Sequence, residues 1–363
     1  MREDRDAARS LAAAGPADAL STLPLSAARH RVVGLVHAAL AGSLPPQAGD
    51  ALEALFREEL ARHLIVVANV RRVGGLLESI DLPFLVVKGP ALAAVAYRRP
   101  RLRFYTDLDI VVQPGRFAEA LSTLEASGAA VVDPNWPYHA EHVAGEIRVS
   151  TGIDLHWHFL FFEELRRVTA IDMEEVFARR RSIDVAGLPI ATTDPADTLI
   201  HICLHACLEG GDRLIWLKDI ERCVANDIQG WDDVVERALR WRANAFVGAM
   251  LQRARQVVGA PVPDDVIRSL VPNALWRALL AGVDRAFPVG PPRPRETPAS
   301  LIAEGMQPDA RSTARFLAAT AARRAYAFAH RVVGKGAAEA GAAAGPADLE
   351  ARAEFLARVE SHA

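Results

Sequence analysis

The stretch from Phe84 to Val112, FLVVKGPALAAVAYRRPRLRFYTDLDIVV, constrains the fold more than any other part of the chain. Phe84 to Val87 is a short apolar, β-branched run of the kind that forms a buried strand. Gly89 can cap a helix and Pro90 suits the first helical position, so a helix should begin directly after this strand. A second strand is expected to open with Asp107-Leu108-Asp109. The stretch therefore predicts a strand–helix–strand unit.

This unit predicts two neighbouring binding sites. The start of the helix, beside Lys88, presents free backbone amides, and such an end binds anions. Asp107 and Asp109 point to the same face because they lie two residues apart in a strand. Two carboxylates held side by side favour a cation between them, as in Mg²⁺ sites that hold a nucleotide phosphate. An anion site and a divalent-metal site are therefore expected close together.

Length and composition limit the class of protein. At 363 residues the chain is long enough for two domains, and its net charge of −3 gives no general attraction to nucleic acid. No apolar run approaches the roughly 18 residues of a membrane span, and the N-terminus lacks the apolar region of a signal peptide. The three cysteines are too few for a disulfide scaffold. We therefore expect a cytoplasmic protein with no membrane partner.

The chain divides into four predicted regions. Residues 1–80 form an N-terminal helical region, 81–161 the core that contains the strand–helix–strand unit, 162–287 a helical domain packed on this core, and 288–363 a peripheral linker with C-terminal helices. Within the core, further strands are expected at residues 130–132, around Tyr138 to Val143, and at Ile153 to Phe159.

The last of these strands, IDLHWHF, alternates between apolar and polar residues. Asp154, His156 and His158 fall on one face, and the apolar residues fall on the other. Asp154 would then supply a third carboxylate beside Asp107 and Asp109. The alternative is a polar strand face in contact with solvent, and the segment alone does not decide between the two.

A family resemblance rests on the order of these motifs. The chain carries K-G-x(7)-Y-x(5)-R-x(3)-D-L-D from Lys88 to Asp109, then D-L-H-W from Asp154, and then H-x-C-x-H-x(7)-R-L-x-W-L-K-D from His201 to Asp219. This pattern resembles the bacterial family of uncharacterised nucleotidyltransferases, in the polymerase-β-like superfamily. The resemblance implies an α+β fold: a nucleotidyltransferase-like mixed β-sheet core with flanking helices, plus N-terminal and C-terminal helical regions.

The resemblance also implies roles for the motif residues. Asp107, Asp109 and Asp154 would be catalytic and would hold two Mg²⁺ ions, with Mn²⁺ as an alternative metal. Lys88, Gly89 and Arg103 would bind the nucleotide's phosphates, although Arg103 also fits a solvated basic loop. The serine that commonly contacts the triphosphate in the superfamily is missing, because Lys88-Gly89 is followed by Pro90, and this leaves the donor open.

Two histidines are candidate residues of the cleft. His156 would orient substrate or support a ligand, and a structural hydrogen-bonded histidine explains it equally well. His205 would line the cleft because the family pattern places its helix beside the core. Cys203 and Cys207 lie on a different side of that helix from the histidine pair, so they are expected to be core residues rather than zinc ligands.

The expected function is an Mg²⁺-dependent nucleotidyltransferase. It would move a nucleoside monophosphate from an NTP to a hydroxyl or phosphate of a small-molecule or peptide acceptor, in a setting such as natural-product biosynthesis. One alternative is a transferase on the same fold that moves a sugar or sugar-phosphate group, with a nucleotide sugar as donor. The other is a non-catalytic nucleotide-binding or antitoxin-like partner. Nucleic acid is not expected as a partner.

Overall fold

The N-terminal part of the chain is entirely helical in the computed structural model, which describes residues 2–132, 134–150, 152–286, 289–290, 314 and 346–363. It forms helices α1 (Arg2–Ala14), α2 (Ala17–Arg29), α3 (Val33–Leu40) and α4 (Pro46–Glu78). The 33-residue helix α4 buries Val66, Val70, Val73 and Leu77, at spacings of three and four residues, against the sheet. This apolar stripe is what attaches the N-terminal helices to the core.

A four-stranded mixed sheet forms the centre of the molecule. Its strands are β1 (Phe84–Val87), β2 (Leu108–Val112), β3 (Glu146–Val149) and β4 (Ile153–His156), in the spatial order β1-β2-β4-β3. Strand β2 is antiparallel to β1 and parallel to β4, and β3 is antiparallel to β4. The α+β fold with a mixed sheet and flanking helices is therefore confirmed.

Both faces of the sheet are covered, so alternate residues of one strand enter different cores. Leu85, Val87 and Val111 pack with the helices that follow the sheet, whereas Phe84, Val86 and Ile110 pack with helix α4 and its neighbours. Such two-sided burial explains why β1 and β2 read as continuous apolar runs. Any polar side chain on these strands consequently lies under a layer of helices.

The segment that leads to β4 differs from the prediction, because the strand expected at residues 130–132 is only a single bridge between Val131 and Val149, and β3 was not predicted. Helices α5 (Gly89–Ala96) and α6 (Phe117–Ala126) lie where helices are expected, but the segment predicted as a strand around Tyr138 to Val143 is helix α7 (Trp136–His142). The side chain of Asn135 caps this helix by accepting a hydrogen bond from the Tyr138 amide, and Pro137 lies in its first turn. Both are helix-start signals, and they override the aromatic content of the segment.

The second half of the described chain is mostly helical. After α8 (Glu163–Val168) and α9 (Met173–Ala178), a hairpin of β5 (Arg181–Val185) and β6 (Leu188–Thr192) lies beside β1. The following helices are α10 (Pro195–Leu208), α11 (Leu214–Asn226), α12 (Asp232–Arg240), α13 (Asn244–Val258), α14 (Asp264–Leu270) and α15 (Ala274–Ala286). No helix within the described ranges is long and apolar enough to span a membrane.

The C-terminal helix corrects the description of residues 288–363 as peripheral. Helix α16 (Pro346–Glu360) packs against α6 and α7, and its Phe355 and Val359 are fully buried. Phe355 meets the ring of Phe117 edge-on at 5.9 Å. The linker and the helix predicted between residues 288 and 333 lie, apart from residues 289–290 and 314, outside the described residues. The four predicted region boundaries stay a prediction.

Candidate functional site

Lys88 lies at the point where β1 ends and α5 begins. It is the N-cap of α5, with φ 50° and ψ −133°, so the helix starts one residue earlier than the sequence predicts, with Gly89 as its first residue. A positive φ is rare for a residue with a side chain and is kept where the surrounding structure enforces it, often at functional sites. A Cβ at Gly89 would lie only 3.3 Å from the carbonyl oxygen of Asp107. The start of α5 and the start of β2 are therefore in close contact.

The predicted carboxylates converge on neighbouring strands. Asp109 on β2 is directly opposite Asp154 on β4 in the parallel register, and Asp107 immediately precedes β2. The side chains of Asp109 and Asp154 are 5% and 13% exposed, so both charges are largely removed from water. The structure thus brings Asp154 to the Asp107–Asp109 pair, as one of the two interpretations of IDLHWHF requires.

A chain of polar contacts runs across the sheet through Asp109. The Lys88 ammonium lies 2.5 Å from Asp109 Oδ1, and the same oxygen is 3.0 Å from His156 Nε2. The other ring nitrogen of His156, Nδ1, lies 3.1 Å from Glu146 Oε2. Glu146 is directly opposite His156 in the β3–β4 register. Asp109 therefore contacts both the Lys88 ammonium and the His156 ring, and Glu146 contacts that ring from its far side.

The charges in this chain shift the protonation equilibria in opposite directions. Although burial opposes ionisation, Lys88 and His156 lower the pKa of Asp109. Burial and the negative charge of Asp109 raise the pKa of Asp154 to about 6. The pKa values of Lys88 and His156 are raised despite burial, chiefly by Asp109 and Glu146 respectively. The lowered pKa keeps Asp109 ionised. The ionised form of Asp154, in contrast, is unfavourable unless a positive charge lies nearby.

The carboxylates Asp109 and Asp154 have the right chemistry to bind a hard divalent cation. Their arrangement with the other described residues, however, does not form a metal site. Carboxylate oxygens are the ligands that Mg²⁺ prefers, and burial, together with the charge of Asp109, makes the ionised form of Asp154 unfavourable without a nearby cation. Among the residues that the structure describes, however, no group of three or more His, Cys, Asp or Glu side chains is arranged to hold a metal ion. Asp109 and Asp154 could hold such an ion if Lys88 releases Asp109.

Helix α10 carries His205, which is near enough to Lys88 and Asp109 to respond to their charges. Burial and the positive charge of Lys88 lower the pKa of His205 to about 3, so its ring is neutral, and it meets the Trp216 ring edge-on at 5.8 Å. His201, one turn earlier, stacks on Phe159 at 4.1 Å. Cys203 and Cys207 are fully buried in the core, as predicted. His205 is thus close to the candidate site and uncharged.

Arg103 has a different partner from the one predicted. Its Nε and Nη2 donate to the two carboxylate oxygens of Asp219 at 3.2 and 2.7 Å, and the Tyr97 hydroxyl donates to the same carboxylate at 2.6 Å. All three side chains are largely buried. A bidentate pair of this kind occupies the guanidinium and joins the segment before β2 to helix α11. A phosphate contact by Arg103 stays an untested prediction.

Two polar residues of β3 belong to the site although the sequence analysis did not single them out. Glu146 and Arg148 alternate with apolar residues, so they share the face that carries Asp154 and His156. The Arg148 side chain is 61% exposed, and its Nε lies 3.8 Å from Asp154 Oδ1. The alternation of polar and apolar residues in EIRV, from Glu146 to Val149, could have predicted this strand. It was missed because strand structure was expected earlier in the chain.

Comparisons with known proteins identify the family to which the chain belongs. The model of a family described as uncharacterised nucleotidyltransferases matches residues 21–259. Among solved structures, the chain is similar to the crystal structure of an antigenic nucleotidyltransferase-like protein from Paracoccidioides brasiliensis, with 13% identity and a TM-score of 0.37, over 58% of this chain and 97% of that chain. No curated protein matches significantly. The family match covers well over half of the sequence, and the chain therefore belongs to the family of uncharacterised nucleotidyltransferases.

Proposed function

We propose that the protein is an Mg²⁺-dependent nucleotidyltransferase that moves a nucleoside monophosphate from an NTP to a hydroxyl or phosphate of a small-molecule or peptide acceptor. The observation that carries the proposal is the pair Asp109–Asp154, held in register on neighbouring strands beside Lys88 and the start of α5. Paired carboxylates next to a cation and a helix N-terminus suit a metal-bound phosphate.

Each residue of the site has a task that its surroundings support. Mg²⁺, when bound by Asp109 and Asp154, would neutralise phosphate charge and lower the pKa of an acceptor hydroxyl. The Lys88 ammonium, now on Asp109, would move to a phosphate oxygen, and the backbone amides at the start of α5 would bind the same phosphate. His156, held by Glu146, keeps Asp109 ionised and correctly oriented. Asp107 would complete the carboxylate set.

A non-catalytic nucleotide-binding role is the second candidate. It is favoured by the ion pair between Lys88 and Asp109, which satisfies the most buried carboxylate of the site without any bound cation. In that case Lys88 would stay on Asp109, and nucleotide would bind without being consumed. Transfer of a sugar or sugar phosphate on the same fold would use the same residues with a nucleotide sugar as donor.

The test compares ligand binding with product formation. Thermal shifts are measured for the four NTPs and a set of nucleotide sugars, with Mg²⁺ and with EDTA. Each donor that stabilises the protein is then incubated with mixtures of acceptors, and the release of pyrophosphate or nucleoside phosphate is measured. A saturating donor at about one hundred times its Kd should stabilise the protein by about 2.7 kcal/mol. Asp154→Asn should remove the Mg²⁺-dependent part, whereas Asp232→Asn, at an exposed position in the first turn of α12, should not.

The outcomes separate the candidates. A Mg²⁺-dependent shift with product release supports transfer, and the group released tells nucleotidyl from sugar transfer. A shift without any release, over all acceptors, supports the binding role. If no phosphorylated donor shifts the melting temperature at millimolar concentration, both the transferase and the binder are wrong.

A further inference from the structure

Two arginines from distant parts of the sequence lie on neighbouring connections next to the candidate site. Arg31 lies in the connection between α2 and α3, and Arg213 is the N-cap of α11. The two connections are joined through His30, because its carbonyl oxygen accepts a hydrogen bond from the Ile215 amide at 3.2 Å and its Nδ1 lies 3.4 Å from the Leu214 amide. These contacts of His30 hold together the two backbone segments that carry Arg31 and Arg213.

Arg31 has an unusual backbone conformation, and Arg213 packs on an aromatic ring. Arg31 has φ 54°, a left-handed conformation that is rare for a residue with a side chain. The guanidinium of Arg213 lies over the Trp216 ring, 5.0 Å from its centre, and Trp216 in turn meets His205. Trp216 therefore connects Arg213 to His205, whose pKa is lowered by burial and by the charge of Lys88. The pair stands at the edge of the site that Lys88 and Asp109 form.

The two guanidinium groups repel each other. Burial, and next the charge of Arg213, lower the pKa of Arg31, while Asp107 acts in the opposite direction. Within the described ranges, no carboxylate forms a salt bridge with Arg31 or Arg213, although Glu59 and Asp212 lie in the surroundings. Arg103, by contrast, has Asp219. Two neighbouring cations without a salt bridge to any described carboxylate favour the binding of an anion between them.

We propose that Arg31 and Arg213 form an anion-binding pair at the edge of the candidate site and bind a phosphate group of the substrate. The assignment of the anion to a substrate rests on the proposed function, but the pair itself does not. Phosphate is the anion whose oxygens match two forked guanidinium groups, and the packing of Arg213 on Trp216, which meets His205, puts the pair at the edge of the site. Its source is either the phosphate chain of a donor nucleotide or a phosphorylated acceptor.

The experiment measures binding of inorganic phosphates without any metal. Isothermal titration in EDTA uses inorganic pyrophosphate, which represents the phosphate chain of a donor, and inorganic phosphate, which represents a monophosphorylated acceptor. The variants are Arg31→Asn, because asparagine accepts the left-handed backbone readily, and Arg213→Gln. Arg57→Gln is the control, since it removes one positive charge from an exposed position of α4. Melting temperatures confirm that each variant is folded.

The proposal predicts that the wild type binds pyrophosphate or phosphate. Arg31→Asn and Arg213→Gln should each weaken this binding about tenfold or more, whereas the control Arg57→Gln should change it less than about twofold. Preference for pyrophosphate identifies the donor chain, and preference for phosphate identifies an acceptor. Unchanged affinity in folded Arg31→Asn and Arg213→Gln, or no binding by the wild type at millimolar concentration, would overturn the proposal. The titration uses no metal and requires no transfer reaction. Failure of the nucleotidyltransferase assays would therefore not affect the test of the arginine pair, and failure of the titration would not affect the nucleotidyltransferase proposal.

Discussion

Asp154→Asn is expected to stabilise the ligand-free protein, and the structure gives the size and the pH dependence of the effect. Burial and the charge of Asp109 raise the pKa of Asp154 from its ordinary value of 3.8 to about 6. The folded protein therefore binds this proton more tightly than the unfolded chain, so stability is lost as the pH rises from about 4 through about 6. Two pKa units correspond to ~3 kcal/mol, which is an upper value because the carboxylate is not completely buried.

The substitution removes the charge and keeps the shape of the side chain. At about pH 7.5, Asp154→Asn should raise the free energy of unfolding by about 1–3 kcal/mol, and at least half of this gain should disappear at about pH 4.5, where the wild-type carboxyl is already protonated in the folded state. Arg148 does not offset the gain substantially, since its Nε is 3.8 Å from Asp154 and its side chain is mostly exposed.

Asp109→Asn is the matched comparison, and it should act in the opposite direction. Asp109 holds the Lys88 ammonium at 2.5 Å and His156 at 3.0 Å, and its pKa is lowered by both. Its loss leaves Lys88, with a side chain only 14% exposed, without its counter-charge. Removal of one partner of a buried ion pair costs about 3–5 kcal/mol, so the free energy of unfolding should fall at about pH 7.5.

The assay is urea denaturation followed by tryptophan fluorescence, in EDTA, at both pH values for the wild type and the two variants. Comparison of each variant with the wild type at one pH removes the contributions of other titrating groups. The electrostatic reasoning is refuted if both substitutions change stability in the same direction at about pH 7.5, or if the effect of Asp154→Asn is equal at the two pH values.

Three further predictions concern the surroundings of the site. Asp219→Asn should lower the free energy of unfolding by about 3–5 kcal/mol in urea denaturation, because it leaves the buried Arg103 guanidinium without its carboxylate; a loss below ~1 kcal/mol would contradict the assigned pairing. Cys203→Ser and Cys207→Ala should each cost about 1–2 kcal/mol and leave the metal content, measured by elemental analysis of the purified protein, unchanged; loss of stoichiometric zinc would show a metal site instead. Phe355→Ala should cost about 3–5 kcal/mol in the same denaturation assay, since Phe355 is fully buried; an unchanged stability would mean that α16 is not part of the core.

Local sequence signals were sufficient for the central unit of the fold. The run Phe84 to Val87 and the helix start at Gly89-Pro90 lie within one residue of their predicted places. The two-residue period of IDLH placed Asp154 and His156 on one face, because strand alternation depends only on the backbone. These features are set by residues close together in the chain.

The partners of these residues could not be predicted in the same way, because they come from distant segments. Asp219 pairs with Arg103 across 116 positions. Glu146 supports His156 only because β3 lies at the edge of the sheet beside β4, and strand order is a property of the whole fold. From the sequence alone, Asp109 and Asp154 looked like equivalent carboxylates, because the distant residues around them were not known. In the structure Lys88 lowers the pKa of Asp109, whereas burial raises the pKa of Asp154.

The most direct test of metal-supported phosphate binding by Asp109 and Asp154 is the spectroscopy of bound Mn²⁺. Electron–nuclear double resonance of the wild type with Mn²⁺ and the donor identified by thermal shift should show coupling between the metal and the phosphorus of that donor. Asp154→Asn should lose this coupling, while Asp232→Asn should keep it. If Asp154→Asn and Asp109→Asn both bind Mn²⁺ and show the same phosphorus coupling as the wild type, these carboxylates do not hold the metal, and the proposed site is wrong.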